Sequence, residues 1–174
     1  MKLSLKTTLA CTLAGFYTAP IHAAGLNLEI ELPRMDQAEY HRPYVAVWLQ
    51  SADRKTVRDI AVWYDNGKHN AEGQKWLKDL RQWWRLSGRG QDEPADGVTG
   101  ATQAAGKHTI EVAATHSALA DLPAGDYEVV VEAAREKGGR ELLRLPLAWP
   151  AKQAATAEAQ GDSELGHVQA TLTP

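Results

Sequence analysis

A run of small and polar side chains between residues 95 and 104 offers the chain's best-placed groups for chemistry. Its centre reads Asp96-Gly97-Val98-Thr99-Gly100-Ala101-Thr102, so two hydroxyls and a carboxylate stand among glycine and alanine. Small neighbours leave the backbone beside a hydroxyl accessible, and Gly97 allows a bend. A modifying enzyme can close its active site around such a hydroxyl if the hydroxyl lies on a loop, because a hydroxyl buried in a sheet cannot be reached. Asp-Gly and Thr-Gly are also common turn dipeptides, so an ordinary connection between strands is the alternative.

The spacing resembles the acceptor motif of periplasmic FMN transferases, Asp-x-x-Ser/Thr-Gly-Ala-Ser/Thr. These enzymes attach FMN through its phosphate to the last Ser or Thr. The motif carries flavin in proteins with FMN-binding domains and in subunits of sodium-pumping quinone reductases. The resemblance implies a covalent FMN on Thr102 and a periplasmic FMN transferase as a partner. It further implies that the transferase recognises Asp96, Thr99, Gly100 and Ala101, and we place Gly97 with them in the cofactor-binding site.

The sequence contains no pattern typical of a hydrolase or a metal site. No serine lies in a Gly-x-Ser-x-Gly setting, so a nucleophile elbow is absent. The histidines are scattered without the spacing of metal ligands. Glu128 and Glu132 alternate along a predicted strand, and we interpret them as its solvent-exposed face rather than as a catalytic pair.

A tryptophan-rich segment precedes the motif. Its apolar period predicts a helix over Gln74–Leu86 with Trp76, Trp83 and Trp84 along one stripe. Packing in the core is the simplest interpretation, since each indole removes a large apolar area from water. The alternative is a partly open aromatic surface on which a flat ring can stack. In a flavin-carrying protein, Trp83 or Trp84 is then the candidate to shield one face of the ring.

Alternation of apolar and polar residues, with Gly and Pro turns, predicts a mainly β fold. The predicted strands are Leu26–Leu32, Pro43–Gln50, Thr56–Tyr64, His108–Ala114, Asp126–Ala134, Arg140–Trp149 and His167–Leu172. The second strand is apolar on both faces, which predicts a central position in a sheet. We interpret Ala151–Gln160 as a loose connection. Together with Tyr127 behind a Leu-x-x-Gly turn, the pattern predicts an immunoglobulin-like or fibronectin-like β-sandwich with one inserted tryptophan-rich helix.

The N-terminus has the layout of a secretory signal, with two lysines, a short apolar run and small residues at Ala23 and Ala24. We predict a signal peptide over residues 1–23 and a single β-sandwich domain over residues 24–174. The apolar run is shorter than the ~20 residues of a membrane span. Cleavage removes Cys11, the only cysteine, so the domain relies on a core and not on disulfides. The net charge of −3 argues against nucleic acid as a partner.

A second resemblance extends from about Leu26 to the C-terminus. The segments RPYVAVWLQSADRKTVRDIAVWY, WLKDLRQWW, VTGAT and AREKGGRELLRLPL together resemble a bacterial family of predicted periplasmic proteins, the domain of unknown function DUF2271. The resemblance implies a periplasmic location. It also implies association with inner-membrane proteins of the PepSY type, which pass electrons across that membrane.

Two hypotheses of different classes follow. In the first, the protein is an exported electron-transfer carrier or subunit rather than a stand-alone enzyme. It holds FMN on Thr102 and exchanges electrons with a membrane reductase. In the second, it is a cofactor-free periplasmic immunoglobulin-like module that binds a partner or serves an accessory role. Burial of Thr102 within a paired strand would favour the second.

Overall fold

The computed structural model describes residues 25–36, 39–67 and 69–174, without the side chains of residues 69–71. The predicted signal peptide and its cleavage site lie outside these residues. The described strands are β1 (Gly25–Leu32), β2 (Tyr44–Ser51), β3 (Val57–Tyr64), β4 (Thr99–Ala101), β5 (Gly106–Ala113), β6 (Gly125–Ala134), β7 (Arg140–Trp149), β8 (Ala155–Gln160) and β9 (His167–Thr173). Between β3 and β4 lie a 3₁₀ segment (His69–Asp79), helix α1 (Arg81–Leu86) and a 3₁₀ turn (Gly88–Gly90).

The strands form two sheets that face one another. One sheet has the order β5-β1-β9-β8 and the other β4-β3-β2-β6-β7. Apolar side chains from both sheets form the main core between them, and the helical segments cover the outer face of the five-stranded sheet with a second apolar cluster. The predicted β-sandwich is therefore confirmed, and all seven strands predicted from the sequence are present.

Strand β2 is the middle strand of the five-stranded sheet, as its two apolar faces predict. Val45, Val47 and Leu49 belong to the core between the sheets. Ala46 and Trp48 belong to the cluster beneath the helical segments. A strand covered on both sides has no wet face, which is why its sequence shows no apolar–polar alternation.

Tyr127 closes the corner that leads into β6. Its hydroxyl donates a hydrogen bond to the Pro123 carbonyl oxygen at 2.8 Å. This is the tyrosine corner of immunoglobulin-like sandwiches, in which the hydroxyl bonds to backbone a few residues upstream.

Two predicted elements are wrong. The supposed loose connection contains β8, which pairs with β9 along its whole length. Its inward residues Ala157 and Ala159 pack on the core, and alanine is too small to mark a strand by hydrophobic period. The single helix over Gln74–Leu86 is instead a 3₁₀ segment and a short α-helix, separated at Leu80, whose ψ of 71° is not helical.

Candidate functional site

The motif stretch lies at the edge of the five-stranded sheet. It was expected to be a loop, but Thr99–Ala101 forms β4, which pairs in parallel with the end of β3. Thr102 follows directly, and its backbone N–H donates to the Tyr64 carbonyl oxygen at 3.2 Å. Thr102 is half-buried and stands at the end of the strand. Its side chain is therefore held in place without being enclosed in the sheet.

The residues before Thr102 shape a tight turn into β4. Gly97 has a φ of +73°, a backbone conformation that glycine adopts without steric cost. The Thr99 hydroxyl accepts the Ala95 N–H at 2.8 Å and donates to the Glu93 carboxylate. Thr99 is therefore a structural residue of the turn, and its hydroxyl is occupied.

Three other residues of the motif differ in what surrounds them. A Cβ on Gly100 would lie 3.0 Å from the Trp63 ring, so a larger side chain there would press on the indole. Asp96 and Ala101 are exposed. The structure thus explains Gly97 by its backbone conformation, Thr99 by its hydrogen bonds and Gly100 by its close approach to Trp63. Asp96 and Ala101 are accessible from solvent.

The Thr102 hydroxyl makes no hydrogen bond to the residues that the structure describes. Thr102 lines a cavity of about 390 Å³ at the edge of the sheet. Ligand pockets occupy roughly 300–1,000 Å³, so this cavity is large enough for a small-molecule group. Thr102 therefore lines a pocket and carries a hydroxyl that no described residue engages, so it is available as a nucleophile or as a hydrogen-bonding group.

Three aromatic rings line part of this cavity, and most of its other lining residues are polar or charged. Tyr40, Tyr44 and Trp76 contribute from the connection after β1, from β2 and from the 3₁₀ segment. Trp76 is 41% exposed and is the exposed large hydrophobic side chain of the described residues. The sequence had grouped Trp76 with the core stripe. The polar run before it, Glu72-Gly73-Gln74-Lys75, was the available signal of exposure.

The positive charges around the cavity differ in how they are engaged. Arg135 is buried and donates to both Glu164 carboxylate oxygens, at 2.9 and 3.0 Å. That hydrogen bonding raises the pKa of Arg135. Exposed Arg42 has an Nη1 atom 3.5 Å from the Thr102 carbonyl oxygen and forms no ion pair with a described carboxylate. Arg42 is thus the guanidinium that a bound anion beside Thr102 could engage.

His41 lines the same cavity and contacts acidic groups. Its Nε2 lies 3.2 Å from a Glu39 carboxylate oxygen, and its Nδ1 lies 3.7 Å from one of Glu136. The pKa of Glu39 is lowered, first by a hydrogen bond from Lys137 and then by that from His41. The imidazole at the rim therefore stands between two carboxylates and is oriented by them.

The two tryptophans expected to cover a flavin lie elsewhere. Trp83 is fully buried, and its indole N–H donates to Asp59 Oδ1 at 3.1 Å. It therefore cannot shield a ring tethered at the surface. Trp84 is half-buried in a separate depression with Lys78 and Arg81, and it does not line the cavity of Thr102.

Glu132 corrects another expectation. It was interpreted as part of a solvent-exposed face, but it is fully buried beneath α1. Its carboxylate accepts the backbone N–H groups of Gln82 and Trp83, at 3.0 and 2.8 Å, and Arg140 Nε at 2.6 Å. Glu132, on the sheet, thus accepts hydrogen bonds from backbone N–H groups in the first turn of α1, which have no acceptor within the helix. Glu128, on the same strand, is half-buried and binds Gln50 and Arg144.

Fold and site together define an immunoglobulin-like β-sandwich with a helical layer on one sheet and an open aromatic cavity beside it. The chain matches the family described as "Predicted periplasmic protein (DUF2271)" over residues 25–167, and it belongs to that family. The family places the protein in the periplasm. No curated protein and no solved structure matches the chain.

Two further findings bear on the site. None of the helices in the described part of the chain combines the length and the apolar character needed to cross a bilayer. Within the same residues, no group of three or more His, Cys, Asp and Glu side chains is arranged to hold a metal ion. The cavity beside Thr102 presents a hydroxyl, guanidinium groups, an imidazole and aromatic rings, together with the carboxylates of Asp65, Asp79 and Glu136.

Proposed function

We propose that this periplasmic protein is a flavin carrier that holds FMN as a phosphoester on Thr102 and exchanges electrons with a membrane reductase. The observation that carries the proposal is the Thr102 hydroxyl. It ends the motif Asp96–Thr102, it lacks a partner among the described residues, and it opens onto a cavity. A hydroxyl that served the fold would be engaged, as that of Thr99 is.

The residues around Thr102 fit a flavin nucleotide. Arg42 provides a guanidinium without a described carboxylate partner, and guanidinium is well suited to phosphate oxygens. The cavity supplies aromatic walls for a flat ring, and its volume lies within the range of ligand pockets. The pairing of Arg135 with Glu164 leaves that second arginine committed to the fold.

Attachment requires one bond to form and one to break. The Thr102 Oγ1 atom loses its proton and forms a bond to the phosphorus on the FMN side of a flavin dinucleotide. The phosphoanhydride bond of that donor breaks, and its nucleoside monophosphate leaves with the proton. The protein gains the mass of FMN less one water. Exposed Asp96 and Ala101 are where the periplasmic FMN transferase would contact the motif.

When bound, FMN supplies the electron-transfer chemistry, and the protein contributes the tether, the orientation and the electrostatics. A covalent link suits a periplasmic carrier because a loosely held cofactor would diffuse away. The electron partner in this proposal is an inner-membrane protein of the PepSY type. The protein then acts as a redox carrier or subunit and does not turn over a small substrate by itself.

The test is intact-mass analysis of protein exported from a host that expresses an FMN transferase. Wild-type protein should gain FMN less one water and be yellow. Thr102→Ser keeps a hydroxyl and should be modified, whereas Thr102→Val should have the unmodified mass and no colour. Thr109→Val, at an exposed threonine of β5, is the matched control and should be modified like wild type.

Unmodified wild-type protein, in a host whose transferase modifies a reference acceptor, would contradict the proposal. The cofactor-free binding or accessory module would then be the function to pursue. Modification that persists in Thr102→Val would place the flavin elsewhere and would equally contradict attachment at this residue.

A further inference from the structure

We infer that the cavity beside Thr102 is the binding site of the isoalloxazine ring and that Trp76 is the face on which the ring stacks; this rests on the proposed function. The flavin would then be a docked group and not one that swings freely on its phosphate. The assignment to Trp76, rather than to Trp83 or Trp84, comes from where the fold places the three indoles.

Trp76 and the tether point share one cavity. Thr102 and Trp76 both line the 390 Å³ space, although they belong to the end of β4 and to the 3₁₀ segment. Single exposed hydrophobic residues are normal on protein surfaces. This one lines a concave site together with Tyr40 and Tyr44, and the remaining lining residues are mostly polar or charged. Concave sites that combine aromatic rings with polar groups are where small ligands bind.

The segment that carries Trp76 is fixed to the sheet and to the connection that precedes the motif. The Tyr44 hydroxyl donates to the Gly73 carbonyl oxygen at 3.1 Å. Gln74 Nε2 donates to the Glu93 carbonyl oxygen at 2.9 Å. A Cβ on Gly73 would overlap the Asp65 carbonyl group, so the backbone there is closely packed. The fold therefore fixes the backbone that carries the indole before any ligand arrives, and such preorganisation reduces the entropic cost of binding.

The chemistry of the walls matches the two ends of FMN. A flat aromatic ring stacks favourably on an indole in offset or tilted geometry. Arg42, whose guanidinium is 3.5 Å from the Thr102 carbonyl oxygen, is the residue that would hold a phosphate tethered at Thr102. Ring and phosphate thus each have a matching group in the same cavity. Neither Trp83 nor Trp84 offers this, because the first is buried and the second lines another depression.

The experiment measures flavin fluorescence in proteins whose FMN content has been verified by intact mass. An indole stacked on isoalloxazine quenches its emission, so wild-type protein should fluoresce severalfold less than free FMN. Trp76→Ala should raise the emission severalfold at equal FMN content, and Trp76→Phe should give an intermediate value. Trp84→Ala is the matched control, a half-buried tryptophan of the same layer that lies outside the cavity, and its emission should equal that of wild type.

The outcomes separate the inference from the proposed function. Full attachment with unchanged emission in Trp76→Ala would overturn the stacking assignment and leave the flavin carrier intact. A rise in Trp84→Ala instead would move the ring to the other depression and also overturn it. Absence of added mass in the wild type would overturn the flavin carrier itself. If Trp76→Ala is poorly modified, Trp76→Phe decides the matter, because emission equal to that of wild type in this variant contradicts stacking on the indole.

Discussion

Trp83 and Trp76 belong to the two helical segments that cover the same sheet, and they occupy opposite environments. Trp83 is fully buried, donates to Asp59 through its indole N–H, and packs so closely on Gly88 that a Cβ there would overlap the ring. Trp76 is 41% exposed on the wall of the cavity. The helical layer therefore has one part that belongs to the core and one part that is open to a ligand.

The polar groups near each tryptophan differ in the same way. Beneath Trp83, the Glu132 carboxylate is saturated by Gln82, Trp83 and Arg140. Near Trp76, the Thr102 hydroxyl has no hydrogen-bond partner and Arg42 has no ion-pair partner among the described residues. Buried polar groups in folded proteins are nearly always paired. Groups that stand unpaired at a cavity are the ones available for binding, and this difference directs the functional proposal to Thr102.

The largest expected effect separates the two tryptophans. Trp83→Ala should lower the free energy of unfolding by about 3–5 kcal/mol, because it removes a fully buried indole and leaves a cavity. Trp76→Ala should lower it by less, about 1–2 kcal/mol, because this indole is already 41% exposed and loses less apolar burial. Guanidinium titration of both variants, without flavin, measures the two values. An equal loss in the two variants would abolish the distinction between a structural and an open part.

A smaller effect should separate Glu132 from Glu128. Glu132→Ala removes the acceptor of the Gln82 and Trp83 N–H groups, and each unsatisfied buried donor costs about 1–3 kcal/mol. Glu128→Ala removes a half-exposed partner of Arg144, and exposed ion pairs contribute about 0–1 kcal/mol. Thermal unfolding of both variants, followed by far-ultraviolet circular dichroism, tests this. An equal loss of stability in Glu128→Ala and Glu132→Ala would show that the hydrogen bonds from Glu132 to α1 add no more stability than the ion pair of Glu128.

The sequence predicted most of the sandwich, because its strands bury large side chains at regular spacing. The two apolar faces of β2 and the position of Tyr127 both led to correct structure. Strand β8 was missed since its inward residues are alanines. The break at Leu80 was missed because the first turn of α1 is held by the Glu132 carboxylate. Glu132 lies 50 positions from Gln82 in the chain, so local spacing does not indicate this contact.

Less of the site could be predicted, since most of it is assembled by the fold. The motif identified Thr102 as the residue of interest from local spacing alone. Arg42 lies 60 residues from Thr102 in the chain, and only the parallel pairing of β4 with β3 brings the motif to this edge. Trp76 was assigned to the core because its spacing relative to Trp83 suits one continuous helix. Contacts between residues so far apart in the chain produce no periodic pattern in the sequence.

The smallest expected difference in stability is between the threonine that begins β4 and the threonine that follows it. Thr99→Val should lower the free energy of unfolding by about 0.5–1.5 kcal/mol, since its hydroxyl holds the Ala95 N–H and the Glu93 carboxylate. Glu93 Oε1 is already without a partner among the described residues, so loss of the Thr99 hydroxyl would leave both oxygens of that carboxylate without a described donor. Thr102→Val should cost no more than about 0.5 kcal/mol, because its hydroxyl bonds to none of the described residues.

Valine keeps the β-branched shape in both threonine variants, so strand propensity is matched and the difference reports the hydroxyl alone. Guanidinium titrations with equal slopes make the two losses comparable. A Thr102→Val loss equal to that of Thr99→Val would mean that the Thr102 hydroxyl serves the fold. Attachment of a cofactor there would then have to displace a structural bond, and the contrast between the engaged and the available hydroxyl would no longer support the flavin carrier.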